Sequence, residues 1–573
     1  MFDHSTGLIT DWTFTSTEFR VALSHYVKMS EFDNLTNLYM GFDLSTQQLK
    51  ITVIEDTHQI ILEETVHFDK ELPHYGTLNG VITNGENVTC PTLMWVESLD
   101  ILLHKLKNKK FPFHKVRMIS GAGQQHGSIY WSHDAPFLLS SIDHSQRPLA
   151  DQLKNAFSVQ QSPTWQDSST SEQCRELEKL IGGSEVLVNL TGSKAYERFT
   201  GNQIAKLCKT NPDAFSQTSR ISLVSSFLAT LFLGHYAPID ISDGSGMNLL
   251  NIHTKQWEDK LLNICSCGAE GKLREKLGEP EIDGLKILGN VHKYFVKKYG
   301  FNEDCKIIPF TGDNPATLIS FNIKPGNVII SLGTSDTALL CTTKSCPTLE
   351  SHILCHPIIL ESYFSMIVHK NGGLTREYIR DTYTKDVTWE RFNNILTSSK
   401  PIKSQIGFYF LLQEIAPFAK GIFKFDDNKL VEEFVDKNYN VRAVIESQFL
   451  SMKIKINKLL KDNPEKIQKI IVVGGASKND QIVKVLADVF GIQVWRIKGE
   501  RKGGNSASMG AAIKARTAFL KQEFKSTINL NYDKIEENFT FVAEPDFENT
   551  KIYNDMIENY QELEKLVIQM MSR

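Results

Sequence analysis

One pattern occurs twice in this chain and constrains its fold more than any other. The first copy is Tyr39-Met40-Gly41-Phe42-Asp43-Leu44-Ser45-Thr46, followed by Leu49, Ile51 and Val53 alternating with Lys50 and Thr52. A short apolar run, a tight turn and a period-two run predict strand, turn, strand. The second copy is Val328-Ile329-Ile330 leading into Ser331-Leu332-Gly333-Thr334-Ser335 and on through Asp336 to Leu340. Two such hairpins, each opening one half of the chain, point to an internal duplication with two facing domains. Both turns are rich in hydroxyls. Hydroxyls and free backbone N–H groups in a turn wrap a phosphate, and a carboxylate such as Asp43 holds magnesium through water. The same residues also suit an ordinary Asx or Ser turn, so the hairpin by itself leaves both readings open.

The rest of the chain supplies the setting. At 573 residues it is long enough for two to four domains. Its 41% hydrophobic and 23% charged residues are ordinary for a globular protein. With 63 basic and 67 acidic residues the net charge is −4, which offers nothing to nucleic acid or an anionic membrane. Nine cysteines without a Cys-x-x-Cys pair predict reduced thiols in a cytoplasmic protein. The longest apolar stretch, Ile221 to Gly234, is too short to span a bilayer and predicts a buried helix. Residues 1–37 lack a signal core and read as a poorly ordered extension, with Met29 an alternative start.

Strands and helices alternate, the mark of an α/β architecture. Ile60 to Val66 reads as a third strand, 70–91 as a long loop, Leu93 to Leu106 as a helix and Val116 to Ser120 as a strand. That strand runs into Gly121-Ala122-Gly123-Gln124-Gln125-His126-Gly127, whose spacing and following strand exclude a dinucleotide fingerprint. No Gly-x-x-x-x-Gly-Lys-Ser/Thr loop occurs. Farther on, Thr311-Gly312-Asp313-Asn314-Pro315-Ala316 joins a strand to a helix, and Ile470 to Val473 ends in Gly474-Gly475-Ala476-Ser477. Residues 380–440 read as irregular insertions. Asp480 to Phe490 is an amphipathic helix, and Gly503-Gly504-Asn505-Ser506 opens another. The final helix carries Met556, Tyr560, Leu563, Val567 and Met570 as one apolar stripe.

In this order the loops resemble those of the FGGY carbohydrate kinases, of the actin/hexokinase/Hsp70-like ATPase fold, from about Tyr39 to about Phe519. Within that family the chain is similar to the eukaryotic type that acts on D-xylulose. The resemblance implies two actin-like (ribonuclease H-like) domains, each on a five-stranded sheet, closing over a cleft. It places sugar binding in residues 38–312 and ATP binding in 313–573. It implies that Asp313 is the general base and that His126, Arg198 and Asn314 contact the sugar, with Asp167 near by. It implies that Asp43 orients hydrated Mg²⁺ and that Ser45 and Thr46 face the phosphates. Ser331, Gly333, Thr334 and Ser335 would flank the transferring phosphoryl group, and Gly474, Gly475 and Asn479 would floor the adenosine. Read alone, Asp313 is also a good helix N-cap, Arg198 a partner for Glu197, His126 a core histidine, and the glycine pair a plain strand-to-helix turn. One departure is Asp43-Leu44-Ser45-Thr46, where many members read Asp-Gly-Gly/Thr-Thr.

The activity so implied is ATP-dependent phosphorylation of D-xylulose at its 5-hydroxyl, by a monomer or homodimer. Gln125-His126 favours xylulose over ribulose or glycerol within the family. A non-catalytic sugar sensor or an Hsp70-like ATPase is the reading from another class. The retention of Asp43 and Asp313 speaks against it.

Overall fold

The structure, a computed structural model, describes residues 36–497, 506–524 and 539–571 apart from 146, 322, 324, 386–387 and 465. The predicted extension at 1–35 and Gly503-Gly504-Asn505 lie outside them.

The first half is built on β1 (Leu38–Leu44), β2 (Gln48–Glu55), β3 (Ile60–His67), β4 (Val116–Gly123) and β5 (Lys306–Ile307). β1, β2 and β3 pair antiparallel in succession, and β4 and β5 then add in parallel on the far side of β1. The strand Gly289–Asn290 closes the β5 edge, and Thr311–Gly312 pairs with the end of β4. Every residue of β1 is buried, as a strand paired on both edges and covered on both faces must be. Successive side chains of a strand point to opposite faces. Met40 and Phe42 therefore join a core with α1 (Thr92–Asn108) and α2 (Val224–Leu233), while Tyr39 joins another. The stretch predicted as a buried helix forms the end of a strand, Thr218–Leu223, followed by α2. α3 (Asp313–Ser320) closes this half.

The second half repeats the plan. β6 (Asn327–Leu332), β7 (Asp336–Thr342) and β8 (Tyr363–His369) pair antiparallel, and β9 (Lys469–Val473) and β10 (Val494–Ile497) add in parallel beyond β6. Antiparallel edge strands flank this sheet too, His352–Cys355 on β8 and Phe539–Ala543 on β10. The expected five strands thus recur in each sheet, in the same order and the same directions, and each sheet carries two more. The duplication read from the two hairpins extends to whole sheets.

α4 (Gly373–Ile379), α5 (Tyr439–Leu459), α6 (Asp480–Phe490), α7 (Ala507–Phe524) and α8 (Phe547–Met571) complete the second half. α8 buries the predicted stripe from Met556 to Val567 against its own chain, and Tyr553 of α8 donates to Glu446 Oε1 of α5 at 2.8 Å. Met570 is half-buried at the end of the stripe. α7 departs from its sequence neighbours. It packs on the first sheet, where Met509, Ala512 and Ile513 meet Tyr39, Ile54 and Met118. Thr52 and Ser508 share a hydrogen bond of 2.8 Å across 456 residues of chain. The approach is so close that a Cβ on Gly41 would overlap the Ser508 carbonyl, and one on Gly510 the Ala316 carbonyl.

Two predicted irregular regions are ordered by tertiary pairing. Within 70–91, Ile82–Asn84 and Asn87–Pro91 pair with each other, and Asn87–Pro91 pairs on its other edge with Gln161–Pro163. Within 380–440 lie a helix, Glu390–Ser398, and a three-stranded sheet, Gln405–Phe410, Gly421–Asp426 and Lys429–Val431. Ile82–Asn84 and Lys429–Val431 are only three residues long, too short to announce strands without their partners.

Candidate active site

Ligands of open α/β sheets bind beyond the carboxyl ends of the parallel strands. All five loops singled out in the sequence stand at such ends. Asp43 stands at the end of β1 and Ser45-Thr46 follow it, Gln124 to Gly127 follow β4, and Asp313 follows Thr311–Gly312. Gly333 to Ser335 follow β6, and Gly474-Gly475 follow β9.

Asp313 is the first residue of α3. Its Oδ1 accepts the Asn314 backbone N–H at 2.7 Å and the Asn314 side-chain amide at 3.1 Å. The Asn314 amide also donates to Gln125 Oε1 at 2.9 Å, so α3 and the loop after β4 are tied at this point. Asp313 lies deep in the protein yet keeps part of its surface open. Burial, and then the Asp43 carboxylate, push its carboxyl up to about 7. The preceding glycine has a local reason. A Cβ on Gly312 would lie 2.7 Å from Gln125 Cγ and 2.8 Å from Asp243 Oδ1. A side chain there would have to displace Gln125 or Asp243.

His126 has φ 73°, a left-handed conformation uncommon outside glycine. Three contacts hold it there. Its carbonyl accepts from Thr200 Oγ1 at 2.9 Å, its ring stacks on Phe199 at 4.4 Å, and its Nδ1 donates to the Gly246 carbonyl at 2.8 Å. With the proton on Nδ1, Nε2 is left as an acceptor. Burial, reinforced by Arg198, holds the ring pKa well below its usual value. Arg198 lies over the rings of Tyr196 at 4.6 Å and Phe199 at 5.3 Å. It makes no ion pair with Glu197, which instead accepts from Ser171 Oγ at 3.1 Å. Asp167 is a structural hub. Its carboxylate accepts the Val88 and Ser169 backbone N–H groups and the Gln203 amide, at 2.9, 3.0 and 2.7 Å.

In the first turn the Ser45 N–H donates to the Gln48 carbonyl at 3.0 Å, and Thr46 Oγ1 accepts from Trp165 Nε1 at 2.8 Å. Asp43 is buried at the end of β1, with Oδ1 lacking any partner among the described residues. Burial pushes its carboxyl up to about 6, against the Ser45 hydroxyl and Lys50. No group of three or more His, Cys, Asp or Glu able to hold a metal occurs among the described residues. A single carboxylate with an unpartnered oxygen fits hydrated magnesium, which keeps most of its waters and takes oxygens from substrate phosphates.

On the second half a cavity of about 820 Å³ is lined by Gly333, Thr334, Gly475 and Asn479, together with Trp389 and Asn393. Its size suits a nucleotide. Nothing lies within 4 Å of a Cβ built on Gly475, so that backbone faces open space, and Gly474 turns the chain with φ 87°. Asn479 is the N-cap of α6. Its Oδ1 accepts the Gln481 and Ile482 N–H groups, and its amide donates to Asn393 Oδ1 at 2.8 Å. It therefore shapes the wall by fixing Asn393 and the start of α6. Ser331 lies in β6 opposite Thr337, at the root of the second turn.

The family model for the N-terminal domain of FGGY carbohydrate kinases matches residues 38–320, and that for the C-terminal domain matches 328–519. The chain belongs to the FGGY family of carbohydrate kinases. A xylulose kinase of Mus musculus is 44% identical, over 83% of this chain and 85% of its own. One of Saccharomyces cerevisiae is 39% identical, over 94% and 98%. Among solved structures, xylulose kinase from Rhodospirillum rubrum superposes with TM-score 0.75 at 12% identity, covering 94% of this chain and all of the other. A ligand-bound xylulose kinase from Lactobacillus acidophilus gives 0.71 at 20% identity, over 93% and 98%. These two likenesses establish the two-domain kinase fold.

Several residues of this carbohydrate kinase's site had no signal in the sequence. Asp243 is fully buried, accepts from Ser225 Oγ at 2.5 Å and leaves Oδ1 unpartnered among the described residues. Burial pushes its carboxyl up to about 8. Arg376 braces the second turn. It grips Asp336 bidentately at 2.5 and 2.9 Å, and reaches Gln448 Oε1 at 2.8 Å and the Gly333 carbonyl at 3.3 Å. The one cue was Gly372-Gly373 ahead of α4. A Cβ on Gly372 would meet Asp336 Oδ1 and the Thr334 carbonyl at 2.8 Å.

Proposed function

We propose that this carbohydrate kinase transfers the γ-phosphoryl group of ATP to the 5-hydroxyl of D-xylulose, with Asp313 as general base. The observation that carries the assignment of the base is the placement of Asp313. It is deep, partly open, fixed by Asn314, and raised to a pKa of about 7. A carboxyl poised near the working pH is suited to take a proton from an attacking hydroxyl. The sugar identity rests on the xylulose kinases that align with most of the chain. His126 Nε2, Arg198 and Asn314 bind and orient the sugar. Gln125, through Asn314, keeps the base in place. Sugar binding belongs mainly to the first half, through the start of α3, and nucleotide binding to the second half.

Phosphoryl transfer needs positioning and charge neutralisation more than covalent help. Asp43 would hold hydrated Mg²⁺, which with the nucleotide supplies the phosphoryl group and the charge neutralisation. Ser45 and Thr46 face the phosphates from one side, and Ser331, Gly333 and Thr334 from the other. Gly474 and Gly475 leave room for ribose and base above α6, whose start Asn479 fixes. Nine free thiols suit the cytoplasm, and no helix among the described residues is long and apolar enough to cross a membrane.

The test is ADP release across a panel of ketoses and polyols, on wild type and Asp313→Ala. D-xylulose is expected to be preferred, and the substitution to lower turnover about 10²- to 10⁴-fold. Preference for another sugar would overturn the substrate, an active Asp313→Ala the base, and wild type without sugar-dependent turnover the whole reading.

A further inference from the structure

A residue of the second half reaches Arg198 of the first. The edge strand His352–Cys355 lies across the first half. The Ile353 N–H donates to the Gly192 carbonyl at 2.9 Å, and the Cys355 N–H to Ser245 Oγ at 3.1 Å. The same strand sets the His352 ring 4.8 Å from Tyr196 and 6.0 Å from Phe199, the two rings that carry Arg198. His352 Nε2 is 3.4 Å from Arg198 Nη2, and its Nδ1 is 3.1 Å from Ser193 Oγ.

A guanidinium only donates, so Nε2 must be the acceptor. The neutral ring then carries its proton on Nδ1 and donates it to Ser193. Burial and the Arg198 charge hold His352 neutral, with a pKa down to about 3. The tautomer is thereby fixed, and with it the direction in which His352 holds the guanidinium. No carboxylate pairs with Arg198 among the described residues, so most of its donors remain for a ligand rich in hydroxyls.

We infer that His352 is a positioning residue that aims Arg198 at the sugar from the opposite half, so that the sugar site is complete only when the two halves are together. The inference rests on the reading of Arg198 as a sugar contact.

The experiment is steady-state kinetics on full-length His352→Ala, His352→Gln, Arg198→Ala and the double His352→Ala/Arg198→Ala. His352→Ala is expected to raise the KM for D-xylulose about tenfold, the usual effect of losing one charge-assisted hydrogen bond, with the KM for ATP unchanged. Gln places an amide oxygen near the Nε2 position, so His352→Gln recovers most of the loss. The double variant is expected to be no worse than Arg198→Ala, because the two side chains act as a unit. Losses that multiply, a Gln variant as poor as Ala, or equal effects on both substrates would overturn the inference. If Arg198→Ala raises the sugar KM while His352→Ala and His352→Gln do not, the inference alone falls. If Arg198→Ala leaves the sugar KM unchanged, the reading of Arg198 falls and the inference with it.

Discussion

Replacing Arg376 by Met isolates what braces the second phosphate turn. Arg376 and Asp336 are both fully buried, and Arg376 gives the Asp336 carboxylate two hydrogen bonds and its cation. Met fills the space of the Arg stem but leaves the carboxyl without its cation. Two outcomes are open to that carboxyl. Kept ionised, a buried charge without its partner costs about 3–5 kcal/mol. Kept protonated, it must hold a proton at pH 7 that an exposed Asp of pKa about 3.9 releases, which costs about 4 kcal/mol. Both routes give the same loss at pH 7, but the second caps it as the pH falls. Burial already pushes the Asp336 carboxyl up in wild type against the Arg376 charge, and loss of that charge raises it further in the folded variant. Stability relative to wild type is then lost as pH rises, by up to about 1.4 kcal/mol per pH unit. Urea unfolding of both proteins at pH 7 and pH 5 measures this. The expected gap is about 4 kcal/mol at pH 7, shrinking by more than half at pH 5. The KM for ATP is expected to rise, because the Gly333 carbonyl loses its guanidinium contact, with the KM for sugar little changed. A gap under about 1 kcal/mol at pH 7, or one independent of pH, would refute the reasoning.

Three further outcomes follow from the same kind of geometry. Asp243, at about pKa 8 in the fold, binds a proton that the unfolded chain releases near pH 4. Wild type therefore loses stability as pH rises from 4 to 8, and Asp243→Asn removes that slope; urea midpoints at pH 5 and pH 8 that differ equally in both proteins would contradict it. For catalysis the sign at Asp313 is opposite, since the base must be unprotonated. The kcat/KM for D-xylulose is expected to fall about tenfold per pH unit below about 7, and a flat profile from pH 5 to 8 would count against Asp313 as base. Gly510→Ala adds a Cβ into the Ala316 carbonyl, where no side chain can yield. The overlap, about 1–3 kcal/mol, outweighs the helix propensity gained, about 1 kcal/mol, so thermal melting is expected earlier than wild type; a higher melting temperature would sink the packing argument.

The hairpins at Asp43 and Ser331, the loops at the ends of β4 and β9, the helix from Asp480 and the buried stripe of α8 are all legible in the residues alone. These are local matters. Alternation, turn chemistry and helical spacing are written into adjacent residues, and the order of the loops then carries the family. What tertiary structure alone decided is which distant segments meet. Asp243 reaches Gly312, Arg376 reaches the second turn, Asn393 reaches Asn479, and α7 crosses back to the first sheet through Gly41 and Gly510. Arg198 and His352 lie 154 residues apart, and neither carries a neighbour that announces the other. Periodicity reports whether a side chain is buried, but not by what. A buried carboxyl, a brace or a cross-cleft histidine takes its chemistry from the partner that only the folded chain brings to it.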